Sequence, residues 1–357
     1  MAATAGSAEA VARVEARGVG LRAGLACVLF LLGALLVGLA VGPVHVGVGA
    51  IVRSGLAYVP FLHVHQPLDA IDRAVLWQLR APRVALAALV GGMLAVAGAS
   101  YQGVFRNPLA DPYLLGVAGG AGLGATLAIV YASAAVAGTA WAVPLAAFAG
   151  AIAAVVATYA LGRSAGAART TGALVLAGVT VATFTAAVQT FVQQRHSDVL
   201  QNVYAWLLGG FSTATWSDVA VCAPYVAASS LVLVLHRRLL DVLSLGDDEA
   251  ASLGVDVARA RLAIVAAATL GTAAAVAVSG LIAFVGIIVP HTIRLLVSSS
   301  YRAVVPLSLL AGAGFLVLAD VLARTVLSPA ELPIGVVTAF FGAPFFAVVL
   351  RTSRGGA

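Results

Sequence analysis

Long apolar runs separated by short polar turns set the pattern of this chain. They cover Leu25 to Val44, Val84 to Val104, Tyr113 to Gly138, Trp141 to Gly162, Thr171 to Val192, Val219 to Leu235, Val304 to Ala323 and Gly335 to Leu350. Most approach the roughly 20 residues that a helix needs to cross the hydrocarbon layer. Leu262 to Val297 is too long for one crossing and divides into two at Ser279-Gly280. The pattern predicts an all-α polytopic membrane protein with about ten transmembrane helices. The runs do not alternate apolar and polar positions, which excludes a β-barrel.

Between the runs lie two larger polar blocks, residues 45–81 and 236–261. Residues 1–24 are rich in Ala, Gly and Arg and read as a cytoplasmic tail, with residues 25–352 as the transmembrane domain. A cleaved signal peptide is the rival reading of the first run, but its length suits a retained helix. Gln193 to Trp216 is too polar and too short to cross. It suits a short surface helix stopped by Gly209 and Gly210, with Trp216-Ser217-Asp218 anchoring the next crossing at the interface.

Composition sharpens the picture. Hydrophobic residues make up 62% of the 357 positions and charged residues 10%, against about 25% charged in a soluble domain. All 20 basic residues are arginines. Without lysine there is no Gly-Lys-Ser/Thr nucleotide loop and no Schiff-base chemistry, so any ATP is bound by another subunit. With the tail inside and ten crossings, fourteen arginines fall on the inner side and six on the outer. That bias places both termini in the cytoplasm. Cys27 and Cys222 lie far apart in apolar runs and read as packing residues. Gly and Ala fill the crossings, as at Gly116-Val-Ala-Gly-Gly-Ala-Gly-Leu-Gly124, and predict closely packed helices.

Few residues suggest chemistry. His291 is isolated, and His63 and His65 have no further ligands beside them. Asp320 and Arg324 stand four residues apart and suit a local ion pair. Asp111 suits a cap for the helix that follows the Pro108–Pro112 turn. The inner segment Leu243 to Val257 stands out. Its acids, Asp247, Asp248 and Glu249, suit a helix start, Gly254 suits the end, and Leu245, Ala250 and Leu253 give it an apolar face. A short exposed helix pair of this kind suits a groove on a partner.

Six motifs in order carry a resemblance. They are Arg80-Ala-Pro-Arg83; Gln102 to Pro112 with Leu115-Gly116; Leu245-Gly246 through Leu253-Gly254; Ser279 to His291; Leu318-Ala-Asp320; and Glu331 to Pro344. The chain resembles the FecCD-like permease subunits of type II ABC importers, which take up ferric siderophores, haem and vitamin B12. The resemblance implies a homodimer in the bacterial inner membrane, with two ATP-binding cassette ATPase subunits inside and a periplasmic substrate-binding protein outside. ATP and Mg would sit in the ATPase; this chain would hold no cofactor or metal, have no catalytic residue and bind no nucleic acid. The resemblance assigns ATPase coupling to Leu245, Gly246, Asp247, Asp248, Glu249, Ala250, Leu253 and Gly254. It assigns binding-protein docking to Arg80, Arg83 and Arg324, and an outer gate to Val188, Val192, Arg195 and His196. An iron complex is the leading cargo and cobalamin the alternative. An ion-coupled transporter would need carboxylates within its crossings, and the acids here stand near crossing ends. No intramembrane catalytic cluster is present to support an enzyme.

Overall fold

The computed structural model describes residues 19–42, 46–57, 66–132, 141–164 and 171–353, and every regular element among them is helical. The helices are α1 (Leu21–Ala40), α2 (Val48–Leu56), α3 (Ala70–Val104), α4 (Val117–Tyr131), α5 (Ala142–Ser164), α6 (Thr171–Arg195) and α7 (Leu200–Leu207). They continue with α8 (Trp216–Leu235), α9 (Arg237–Leu243), α10 (Asp247–Ser252), α11 (Val257–Ser279), α12 (Val285–Leu296), α13 (Tyr301–Thr325) and α14 (Ile334–Ser353). Seven of these are long and apolar enough to cross a membrane, and α4, α12 and α14 supply shorter apolar segments. The protein is an integral membrane protein. The tail as far as residue 18 and the histidines His63 and His65 lie outside the described residues.

α3 is the axis of the bundle. Its face carries Gly91, Gly92, Ala95, Gly98 and Ala99, so neighbouring backbones close directly onto it. Gly91 meets the Gly312 carbonyl of α13, and Gly98 meets Gly286 of α12. α4 and α5 cross the same way, Gly120 against Gly150. In lipid, where no hydrophobic force separates helix from solvent, these backbone contacts are the packing term.

Several boundaries differ from the sequence expectation. α1 starts at Leu21, inside the expected tail. α3 starts at Ala70, well before the apolar run at Val84, on an Asp69 cap that accepts the Asp72 N–H at 2.7 Å. Pro82 cannot donate within this helix. The preceding stretch, Val75–Arg80, widens into a π-helical turn in which Ala81 N–H reaches back five residues to Leu76. The adjustment keeps one continuous helix through the proline.

The α11–α12 break falls at Ser279-Gly280 as expected, with Gly280 at φ +70°. α12 has only 12 residues, about 18 Å at 1.5 Å per residue. α4 is also short because residues 113–116 are turn, not helix as the apolar run suggested. The non-helical entries of α4 and α12 satisfy each other. Tyr113 Oη donates to the Ile282 carbonyl and accepts the Ile282 N–H, both at 3.0 Å. Irregular backbone at membrane depth is tolerated when protein groups pair it in this way. Tyr113→Phe is therefore expected to orphan both groups and cost about 1–3 kcal/mol. The thermal midpoint of the purified variant checks this, and an unchanged midpoint would remove the role.

Candidate functional site

Charged groups gather at the two ends of the bundle. At the end beyond the α3 C-terminus, Arg106 and Arg261 converge on one carboxylate. Asp247 lies 3.3 Å from Arg106 and 3.0 Å from Arg261. This fastens the first residue of α10 to both the α3–α4 turn and α11. That turn is built from its own side chains: Asn107 Oδ1 accepts the Leu109 N–H and Asp111 Oδ1 accepts the Tyr113 N–H, at 2.9 and 2.8 Å. Asp111 therefore closes this turn and does not, as its position had suggested, cap the following helix: α4 starts at Val117, with Gly116 at its N-cap and no side-chain cap bond.

Of the helix pair expected within Leu243 to Val257, only α10 lies in that segment; its companion, α9, comes before it and ends at Leu243. Gly246, at φ +143°, makes the corner between them, and Gly254, at φ +81°, ends the second. Leu245 and Leu253 are 60% and 63% exposed, and Asp248 and Glu249 face outward with them. Ala250 departs from the expected apolar face. It is buried, and its carbonyl accepts the Val255 N–H at 3.1 Å. The presented surface is therefore two leucines with a flanking pair of acids.

A further carboxylate, which sequence reasoning did not single out, squares off this end. Asp241 accepts the Tyr301 N–H at 2.6 Å and the Ser300 hydroxyl at 2.9 Å, and pairs with Arg302 at 3.4 Å. It holds the α9 segment to the start of α13. Nearby, Arg294 donates to Gln102 Oε1 and its guanidinium lies 5.3 Å from the Tyr301 ring centre. Gln102 Nε2 in turn donates to the Gly286 carbonyl at 3.0 Å. Asp241 sits in a run of arginines and leucines with no local pattern that announces a bracing role.

The opposite end holds the three arginines assigned to docking. Arg83 is bracketed by two carboxylates. It donates to both Asp320 oxygens at 2.8–3.0 Å and to both Glu331 oxygens at 2.8 and 3.0 Å. Arg324 forms the anticipated pair with Asp320, Nε to Oδ2 3.5 Å, and donates to the Gly38 carbonyl. Arg80 donates to the carbonyls of Leu39 and Ala40 at 3.0 and 3.2 Å. Gly38, Leu39 and Ala40 end α1, where helix carbonyls have no internal partner and carry the negative end of the dipole. Arg80 and Arg324 are both 5% exposed. The resemblance places these arginines at the surface, facing acids of a partner. In this chain they are covered, and the groups they meet are its own. Among the described residues, Arg53, Arg73 and, at the end of α6, Arg195 are exposed arginines at this end.

The four gate positions lie together at the end of α6. Val192 is buried, Val188 half-buried and Arg195 exposed. Arg195 sits 5.6 Å from the Phe191 ring centre, while His196 Nδ1 lies 3.1 Å from the Val192 carbonyl and its ring meets the Tyr131 edge at 5.1 Å. After α6, α7 lies across the end of the bundle. Gly210 N–H donates to Ser279 O, Ile334 N–H to Gly209 O and Gly335 N–H to Leu208 O, at 2.9, 3.2 and 3.0 Å. These bonds tie the surface helix to both the α11–α12 break and the start of α14. α8 then begins on a capping box between Thr215 and Asp218, and Trp216 Nε1 donates to the Trp77 carbonyl at 2.8 Å.

α6 itself exposes Thr180, Thr183, Phe184, Thr190 and Phe191. Each of these threonine hydroxyls donates to the carbonyl four residues back, at 2.8–2.9 Å. The exposed surface is therefore methyls and rings with its polarity turned inward. Among the described residues no group of three or more His, Cys, Asp and Glu side chains is arranged to hold a metal ion, and both cysteines are free.

The profile of the FecCD transport family matches residues 29–352. The cobalamin import system permease protein BtuC of Halobacterium salinarum is 41% identical over 296 residues, covering 83% of this chain and 78% of that one. The hemin transport system permease protein HmuU of Yersinia pestis is 38% identical over 288 residues, covering 77% of this chain and 83% of that one. A solved structure described as an inward-facing conformation of a metal-chelate type ABC transporter superposes with a TM-score of 0.80 at 28% identity, covering 92% of this chain and 98% of that one.

Proposed function

We propose, because the chain belongs to the FecCD transport family, that it is the membrane-spanning subunit of an ATP-driven importer for an intact metal chelate. Two copies enclose the path, two ATPase subunits dock at the α9–α10 end, and a binding protein docks at the Arg83 end, in a bacterial inner membrane with both termini cytoplasmic. The chain itself catalyses no reaction.

The observation that carries this reading is the bracing of α10. Two exposed leucines stand on a short helix whose first residue is clamped to the α3–α4 turn and to α11 by two arginines. A plain loop would absorb a push from a partner; this segment passes it to the bundle core. The leucines suit an apolar groove on an ATPase, and Asp248 and Glu249 suit basic residues on its rim. The α6 surface supports a path for bulky cargo, since methyls and rings with satisfied hydroxyls offer little to stop it.

The binding-protein contact falls to exposed Arg53 and Arg73, which steer an acidic partner, while beneath them Arg80 and Arg324 hold the end of α1 and Arg83 pairs with Asp320 and Glu331. The leading cargo is an iron complex, ferric siderophore or haem, as the HmuU likeness supports. Cobalamin is the second reading, favoured by the 41% identity to the Halobacterium cobalamin permease.

Uptake by proteoliposomes containing this chain, its ATPase and its binding protein tests both levels. ATP-dependent entry of labelled ferric siderophore or haem is expected, and entry of cobalamin alone would shift the cargo to the second reading. Transport with no ATPase subunit present would sink the importer reading altogether. Replacing Leu245 or Leu253 by alanine is expected to weaken ATPase association by about 1.5–3 kcal/mol each, the burial of one leucine. Co-purification yield and uptake rate read that loss, and unchanged yields would move the coupling site elsewhere.

A further inference from the structure

The groove between α5 and α11 is not used by any part of this mechanism. It is a cavity of about 780 Å³ whose floor is Val155, Val265 and Thr269 and whose open sides are Val156, Leu262 and Leu270. Ala160 and Ala266 keep it wide on the two facing helices. At the end nearer α10 it adjoins a second cavity of about 510 Å³ through Tyr159 and Leu262, which line both. Along its length the groove is therefore apolar, and at one end it becomes polar.

That polar end has an excess of positive charge and unspent donors. Arg163 lines the first cavity and has no ion pair or hydrogen bond among the described residues. Arg261 lines the second; it shares Asp247 with Arg106, and its Nε is buried without a hydrogen-bond partner. The Tyr159 hydroxyl at the junction is likewise buried with no partner. Among the described residues Asp247 is the only carboxylate lining either cavity, and it faces two arginines already. A purely lipid-facing groove has no use for the Arg261 Nε and the Tyr159 hydroxyl, because each buried unpaired donor costs free energy; Arg163 stands exposed at the rim beside them.

We propose that this groove is a binding site for an anionic phospholipid. One acyl chain lies along the α5–α11 wall, and the phosphate sits at the junction, where it accepts from the Tyr159 hydroxyl and meets Arg163 and Arg261. Basic pockets between transmembrane helices recognise acidic headgroups by this combination of charge and donors. A bound lipid would touch Asp247 and Val255, on either side of α10, so its headgroup bears on the segment that meets the partner.

The test uses the full-length chain, purified and stripped of lipid in detergent. Phosphatidylglycerol, phosphatidylcholine with the same acyl chains, or sodium phosphate is added, and binding is read by native mass spectrometry and the thermal midpoint. The chain is expected to bind phosphatidylglycerol about fivefold more tightly than phosphatidylcholine, from about one arginine's worth of attraction. Arg163→Gln is expected to abolish that preference while leaving phosphatidylcholine binding in place. Ala266→Trp, on the exposed wall, is expected to release both lipids. Equal binding of the two lipids by the unaltered chain, a preference that survives Arg163→Gln, or a midpoint shift reproduced by sodium phosphate alone would each overturn the site.

Discussion

Asp320→Ala is expected to destabilise the folded chain by about 3–5 kcal/mol, the cost of removing one member of a buried ion pair. Asp320 is 1% exposed and is shared by Arg83 and Arg324. Without it, Arg324 keeps the Gly38 carbonyl and Arg83 keeps only Glu331, whose side chain is 39% exposed. Two guanidinium groups would then stand in a covered site with one carboxylate on its rim. The disturbance would spread to α1, because Arg80 and Arg324 hold its last carbonyls and repel each other more once the acid is gone. Glu331→Ala is the matched control. It removes a partly exposed partner and is expected to cost about 1 kcal/mol or less. Thermal unfolding of the two purified variants separates these values. Equal losses would mean that the cluster behaves as a surface network and that the bundle end is not built on Asp320.

This cluster also shows what the sequence could and could not reveal. The ten apolar segments, the α11–α12 break, the surface helix before Gly209 and the short helix α10 were all legible, because each follows from run length, glycine placement and local charge. The local Asp320–Arg324 pair was legible for the same reason, being four residues apart. Arg83 was not, since its two partners lie 237 and 248 residues away. A charged residue at the end of an apolar run gives no sign of whether a partner molecule or its own chain neutralises it. Arg80, Arg83 and Arg324 were therefore read as surface groups.

The same limit applies to backbone. Residues 113–116 are as apolar as a helix, yet they form a turn because Tyr113 has a distant partner in Ile282. In α3 the reverse holds: Ala70–Arg80, read as part of a polar block, joins the helix because Asp69 caps it and a π-turn accommodates Pro82. Ala250 was expected on the outer face of its segment. It is buried because the Gly246 corner and the Val255 hydrogen bond turn that side of α10 toward the bundle. Each of these outcomes rests on tertiary contacts, which periodicity does not encode.

Gly98→Ala is expected to cost at least about 3 kcal/mol, the upper end of what overpacking usually takes, because backbone rather than side chain stands in the way. An added methyl at Gly98 would overlap the carbonyl, carbonyl carbon and Cα of Gly286 in α12. Side chains can change rotamer to relieve a clash, but here α3 and α12 must move apart as bodies. Gly286 has no room to yield, since its own far side rests on the Pro112 ring. Separation would also stretch the Gln102 Nε2 bond to the Gly286 carbonyl, which stands at 3.0 Å. Because Gln102 also receives Arg294, the inner ends of α3 and α12 would lose their register together. Gly33→Ala in α1 supplies the comparison. Nothing lies within 4 Å of a methyl there, and alanine is favoured over glycine in a helix by about 0.5–1 kcal/mol. Opposite shifts in thermal midpoint are therefore expected from the same chemical change. If the two variants instead unfolded at the same temperature, close backbone approach would not be what holds α12 against α3, and the short helix would have to owe its place to the Tyr113 and Gln102 bonds alone.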